Sequence, residues 1–444
     1  MPRYALGIDY GTSSCRGLLV DLADGSELAE SVYHYPTGVD GVVVSPGDPD
    51  LARQHPGDYL EGLASVASGV IAAARRTIVD FVPAEICAVG FATTGSTPLP
   101  VNAEGTALAL LPDFADRPAA LAWLWKDHTA HAEAAAITEA AWRQRPEYVR
   151  ACGGTYSAEW FWAKIWHCLT EDPEVFAAAH SWVELCDFVA GALTGTSAPA
   201  TLRRSITAAG HKAMYADSWG GLPDVEFLAA LDPELAALRG RLYDTAWPTT
   251  ELAGHVSAEW AERTGLEVGT PVSIGHFDAH AAGVSGGVRP GVFVKVMGTS
   301  TCDVTVVEAA ANGVLPDIPG MCGTVLDTMI PGAVTIEAGQ SAVGDIFNWY
   351  ADVLLGDDRD AGPATLAELG NRAAHVAPGS HGLLALDWFN GNRSVLVDQR
   401  LTGLVLGMTL HTRPHELLRA LVEATAFGAR RIIEAVEAGG APIH

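Results

Sequence analysis

A two-domain α/β protein is what this sequence predicts, from its length, the alternation of its apolar runs and a short signature that occurs twice. At 444 residues the chain exceeds what one hydrophobic core ordinarily serves. Short Val-rich runs alternate with longer Ala- and Leu-rich ones, the pattern of strands interleaved with helices. Gly11-Thr12-Ser13-Ser14-Cys15 follows the apolar run Tyr4 to Ile8, and Gly298-Thr299-Ser300-Thr301-Cys302 follows Val292 to Met297. A second apolar run comes after each, Gly17 to Val20 and Val304 to Val307. Each copy therefore reads as a hairpin with a hydroxyl-rich tip, and the chain as internally duplicated.

The elements follow in order. Asp24-Gly25 is a turn between Leu18 to Leu22 and Leu28 to Tyr33, which opens the fold as a meander. Pro46 to Pro56 reads as a loop, Tyr59 to Ile78 as an Ala-rich amphipathic helix, and Ile86 to Phe91 as a buried strand that ends in Thr93-Thr94-Gly95-Ser96. Ala119 to Trp142, Ala158 to Leu169, Pro173 to Ala192 and Pro223 to Leu238 have helical spacing, and the aromatic cluster Trp160, Phe161, Trp162 and Trp166 reads as core. Pro271 to Ile274 is a short strand before Gly275-His276-Phe277-Asp278-Ala279-His280. A small-residue run then places the boundary between domains 1–286 and 287–444, the second holding the strand Val334 to Ile336 and the helix Pro414 to Val436.

Composition narrows the function. Twenty-seven basic against 53 acidic side chains give a net charge of −26, which repels polyanions and argues against nucleic acid or an anionic membrane as partner. A phosphate site must then be local, built from backbone N–H groups, one or two cations and a divalent metal. Seven scattered cysteines lack both metal-ligand spacing and an even count, so they read as reduced thiols. No apolar run approaches the roughly 18 to 20 residues of a membrane span, and the N-terminus lacks the apolar stretch of a secretion signal, so the cytoplasm is the expected location. The sequence leaves a homodimer open.

Residue chemistry points to the tips. Glycine permits the tight backbone of a tip and exposes its N–H groups, while Thr12, Ser13, Ser14, Thr299 and Ser300 add donors for phosphate oxygens, beside Gly11 and Gly298. Two such tips facing each other would clamp a phosphate chain. Arg16 can meet a phosphate or pair with a surface acid. Asp9, at the end of the first strand, is either a solvated strand-end acid or a ligand for magnesium. Asp278 can serve as a general base for an attacking hydroxyl or cap the helix that starts at Ala279. Lys212, by pattern alone, reads as a solvated lysine on a loop, and His211, His276 and His280 lack the spacing of a zinc site.

Gly95-Ser96-Thr97-Pro98, Trp125-Lys126-Asp127-His128-Thr129, the run Tyr156 to Lys164, Ala209-Gly210-His211-Lys212, Ser218 to Pro223, Phe277-Asp278-Ala279-His280, Lys295 to Asp303 and Glu337 to Asp345 occur here in one order. With that ordered set the chain resembles the sugar kinases of the FGGY type, over nearly its whole length, and within them the branch that phosphorylates L-ribulose. The resemblance implies a fold like that of actin and hexokinase, of the ribonuclease H-like type, with two related domains around a hinge cleft. It implies ATP and Mg2+ as cofactors, Asp278 as catalytic base, Asp9 as metal ligand, and a sugar held by Gly95, Ser96, Trp125, Lys126, Asp127, Lys212, Asp278 and Glu337. The phosphates would fall to Gly11, Thr12, Ser13, Ser14, Arg16, Gly298, Thr299 and Ser300. L-Ribulose is the first expectation for the substrate; xylulose or a polyol, or a binding remnant without turnover, are the alternatives. Two departures stand out: Ala92 where aspartate is expected, and a stop at His444 before a strand and helices that would wall the adenine ring. The second leads us to expect an incomplete second domain and weakened nucleotide binding.

Overall fold

The computed structural model describes residues 3–310, 315–355 and 362–444. They divide into two compact units: Met1–Val149 with Tyr156–Ala281 and Val325–Gly332, and Arg150–Thr155 with Ala282–Thr324 and Ala333–His444.

The first unit is built on the meander of strands Tyr4–Tyr10, Ser14–Asp21 and Glu27–His34, antiparallel in register Asp9↔Arg16 and Arg16↔Val32. Ile86–Thr93 adds parallel to the first strand, and Pro271–Ser273 parallel to Ile86–Thr93. Helix Pro56–Thr77 covers one face. Its start is specified locally, with His55 accepting from Gly57 N, Pro56 in the first turn, Asp58 near the N-terminus and Arg75 and Arg76 in the last turn. Leu63, Val66, Val70 and Ile71 bury their side chains against the sheet, and burial of each contributes about 1.5–3 kcal/mol. The approach is close because Gly62 has no side chain: a Cβ there would lie 2.6 Å from Cys15 Sγ.

Four expected elements come out differently. Pro46 to Pro56 holds the strand Asp48–Gln54, which pairs with Ala122–Trp123, so that Arg53 stands opposite Trp123. The Ala119 to Trp142 segment is consequently a short 3-10 turn, that strand, and a helix only from His131–Gln144. Pro173 to Ala192 breaks at the strand Ser181–Glu184, which pairs with Pro98–Val101. Pro223 to Leu238 is two helices, Val225–Leu231 and Pro233–Arg239, because Asp232 caps the second through Glu234 N ahead of Pro233. Each strand pairs with a partner far away in sequence, which local composition does not report.

The second unit opens on the same meander: Val294–Met297, Thr301–Glu308 and Ala333–Ala338 are successively antiparallel. Helix Pro414–Ala438 closes its core, with Ile432 and Val436 packed among Ile318, Met321, Ile336 and Ala338. No helix among the described residues is long and apolar enough to cross a membrane.

Candidate active site

Both hydroxyl tips exist. In the first unit Gly11 N donates to Ser14 O at 2.9 Å and Tyr35 N to Ser13 O at 3.0 Å, which leaves Ser13 exposed and Thr12 and Ser14 half-buried. Trp125 Nε1 donates to Thr12 Oγ1 at 3.1 Å and Gln54 Nε2 to Thr12 O at 2.7 Å. Because the indole N–H can only donate, the Thr12 hydroxyl keeps its own proton for another acceptor. In the second unit Gly298 N donates to Ser300 O, and Gly344 N and Asp345 N, at the start of helix Gly344–Leu355, donate to Gly298 O and Thr299 O. Gly298 and Thr299 are exposed.

Behind each tip the cross-strand partners are opposite in charge, Asp9 with Arg16 and Lys295 with Asp303. Lys295 Nζ lies 3.0 Å from both oxygens of buried Asp303 and 2.6 Å from Gln340 Oε1. Burial raises the pKa of the Asp303 carboxyl and Lys295 opposes that shift. Asp9 differs. Burial raises its carboxyl too, against the Arg16 charge, and its buried Oδ1 has no hydrogen-bond partner among the described residues. An unpartnered carboxylate oxygen is the donor that a hard divalent cation takes, so the residue fits a magnesium site. Exposed Arg16, Asp9, Ala92 and His276 succeed one another across the sheet and, with Gly7, Gly90 and Ser273, line a cavity of about 400 Å³.

Asp278 is brought beside the Thr93–Ser96 loop by a short strand. His276–Phe277 pairs parallel with Ala92–Thr93, which sets Asp278 at the first turn of helix Asp278–Ser285, beside the loop that continues from Thr93. Its Oδ1 accepts from Ala279 N at 2.6 Å. Gly95 meets the Phe277 ring face so closely that a Cβ would lie 2.0 Å from the ring. Lys212 ends the helix Ile206–Lys212 and is buried, so it is no loop lysine; its Nζ lies 5.8 Å from the centroid of Phe277 and 5.3 Å from that of Trp160. Ser205, which caps that helix, also donates to Gly275 O at 2.8 Å and so locks it to the Asp278 segment. The Gly95–Ser96 loop, Lys212 and the Asp278 segment thus meet at Phe277, and Lys126 is exposed. Trp160, Phe161 and Trp162 are core, as expected, whereas Trp166 is half-buried.

Asp127 faces inward. It is fully buried, pairs with the Arg53 guanidinium, and accepts from Ala52 N at 2.8 Å and Thr129 Oγ1 at 2.6 Å. Arg53 in turn stacks 3.2 Å over the Trp123 ring. Glu337, in the second unit, is buried on Ala333–Ala338 opposite Val304, and its carbonyl accepts from Cys322 N.

His211 and His280 pack with ring centroids 4.6 Å apart, and His276 lies 5.4 Å from His280, a cluster that sequence spacing did not announce. Burial, with the neighbouring His280, holds His276 down at about 3. A histidine neutral in the fold and titrating near 6.5 when unfolded makes the unfolded chain bind more protons between these values, so stability falls on acidification below pH 6.5. The expected slope is about 1.4 kcal/mol per pH unit relative to His276→Asn. Urea unfolding of both proteins at pH 7 and pH 5 measures it, and identical pH dependence refutes it.

Sequence reasoning missed the supports of this cluster. Lys164 Nζ donates to Ser96 O, Leu124 O and Trp123 O, and Glu184 receives Ser96 Oγ and Thr97 N. The run Tyr156 to Lys164 was the one signal that pointed there.

The N-terminal domain of the FGGY family of carbohydrate kinases matches residues 4–285 and its C-terminal domain residues 293–444. A ribulokinase of Shouchella clausii is 43% identical over 456 residues, covering 100% of this chain and 78% of that protein. One from Vibrio parahaemolyticus is 38% identical, covering 97% and 78%. Among solved structures, a xylulose kinase from Rhodospirillum rubrum superposes with a TM-score of 0.76 at 21% identity, covering 99% of this chain and 80% of that one, a likeness of fold. The expectation of an incomplete second domain is overturned, since both family domains are represented and helix Pro414–Ala438 gives the second unit a core of its own. With a family domain matched on each side of residue 290, the chain belongs to the FGGY family of carbohydrate kinases.

Proposed function

We propose that this kinase is a ribulokinase, which moves the γ-phosphoryl group of ATP to the terminal hydroxyl of L-ribulose. The convergence of three segments on Phe277 carries the reading: the Gly95–Ser96 loop packs against its ring, the Lys212 ammonium lies 5.8 Å from its centroid, and the Asp278 carboxylate follows it in the chain, so that hydroxyl, cation and carboxylate come from neighbouring segments, as recognition of a polyhydroxylated substrate requires. The relatives named ribulokinase, similar along the whole chain, supply the sugar.

Asp278 accepts the proton of the attacking hydroxyl as its oxygen bonds to the γ-phosphorus and the bond to the bridging oxygen breaks, which releases ADP. Its first-turn contact with Ala279 N fixes the carboxylate for that task. Lys212, Ser96, Gly95, Trp125, Lys126 and Glu337 hold the sugar, and Asp127 serves it through the Arg53-anchored loop that ends in Trp125. Phosphate oxygens fall to Gly11, Thr12, Ser13, Ser14 and Arg16 in residues 1–286, and to Gly298, Thr299 and Ser300 in residues 287–444. The first part is the sugar-binding domain and the second the nucleotide-binding domain. Bound with the nucleotide, magnesium neutralises phosphate charge. Asp9, through its unpartnered Oδ1, is the residue that would hold it. The scattered spacing of the seven cysteines supports a cytoplasmic enzyme.

A coupled ADP-release assay over L-ribulose, D-xylulose and ribitol tests the reading. The highest kcat/KM is expected for L-ribulose; a clear preference for xylulose overturns the sugar, and ADP release indifferent to every sugar overturns the kinase assignment.

A further inference from the structure

We infer that Lys164 and Glu184 are positioning residues for the sugar, gripping the Ser96 peptide from two sides and tying its loop to the Trp123–Trp125 segment, so that together they set sugar affinity and selectivity. The inference rests on the sugar-kinase reading and deepens it.

Lys164 lies on helix Phe161–Glu171 and is fully buried. Its Nζ reaches Leu124 O at 2.8 Å, Ser96 O at 2.9 Å and Trp123 O at 3.3 Å. An ammonium has three protons, and here three carbonyls from two separate loops take them. Burying a charge without a carboxylate in direct contact is costly, and an apolar side chain would fill the same volume at less expense. Burial accordingly lowers the Lys164 pKa. What the charge supplies in return is a join between the two segments that carry Ser96 and Trp125.

Glu184 works from the other side. It ends the strand Ser181–Glu184, is buried, and receives the Ser96 hydroxyl as well as Thr97 N at 2.7 Å. A serine that donates its proton to a carboxylate has only lone pairs left for a ligand. Ser96 is thereby set to accept from a sugar hydroxyl, and a group that offers no proton at that place meets an unpaired acceptor, which is how polar sites discriminate. Trp125 is fixed at both ends of its segment, by the Leu124 carbonyl on Lys164 and by its own indole on Thr12. The hydrogen bonds of both residues go to the Ser96 loop and the Trp123–Trp125 segment, so the pair acts through the loops.

The test uses Lys164→Met and the nearly isosteric Glu184→Gln. In the second variant the new amide donates to Ser96 and turns its hydroxyl proton outward, which reverses the polarity offered to the sugar. We expect KM for L-ribulose to rise about tenfold or more in each variant while KM for ATP stays within about twofold, and the L-ribulose to ribitol ratio of kcat/KM to shift in Glu184→Gln. Calorimetric Kd for L-ribulose should rise in parallel. Sugar and ATP constants that both stay within twofold, or that rise together as in a general packing defect, overturn the inference. Should Lys164→Met fail to fold, Glu184→Gln and Ser96→Ala decide alone, since neither removes the Lys164 contacts. A wild type that neither binds nor phosphorylates L-ribulose, D-xylulose or ribitol defeats the sugar-kinase reading itself, whereas an active wild type with unchanged variants defeats only this inference.

Discussion

Asp278→Asn is expected to lower kcat on L-ribulose by about 10²–10⁴ while leaving the melting temperature and both KM values near those of the wild type. Asparagine preserves the shape of the side chain and its oxygen can still accept from Ala279 N, a 2.6 Å contact in the wild type. What it loses is the capacity to take a proton from the attacking hydroxyl. At about 1.4 kcal/mol per factor of ten, the expected range corresponds to roughly 3–5 kcal/mol of the barrier. A variant within a few-fold of the wild type would leave Asp278 only its local contact with Ala279 N. A fall in stability without a specific fall in kcat would do the same.

Asp127→Ala is expected to act on the fold as much as on the sugar. The substitution leaves the Arg53 guanidinium fully buried over Trp123 with its closest counter-charge gone, and it removes acceptors from Ala52 N and Thr129 Oγ1. Removing one partner of a buried ion pair costs about 3–5 kcal/mol, because the other charge stays behind uncompensated. Urea unfolding should show that loss. The double variant Arg53→Met/Asp127→Leu should recover most of it, as replacement of both charges by apolar groups often does. An Asp127→Ala protein with wild-type stability and a raised sugar KM would instead favour direct contact between Asp127 and substrate, the role that the family resemblance alone implies.

The contrast between Asp127 and Asp278 marks where sequence reasoning succeeds. Asp278 was legible because its neighbours, a short apolar strand before and a small-residue helix after, are local. Asp127 lies in an equally distinctive motif, yet its partner Arg53 sits within a stretch read as loop, on a strand whose register with Trp123 no local pattern encodes. Lys212 shows the same gap: a lysine beside Gly210 and His211 looks solvent-facing until Ser205, Gly275 and Phe277 are seen to fold around it.

By itself the sequence determined the α/β class, the twin hairpins with their hydroxyl tips, the covering helix of the first meander and the strand that leads into Asp278. These depend on periodicity, turn chemistry and caps, which act over a few residues. Only the tertiary structure decided that Asp127 points inward, that Lys212 is buried against aromatic rings, and that Lys164 and Glu184 hold Ser96 from opposite sides. Those arrangements join segments that lie tens of residues apart, and burial and hydrogen bonding select them only once the strands have paired.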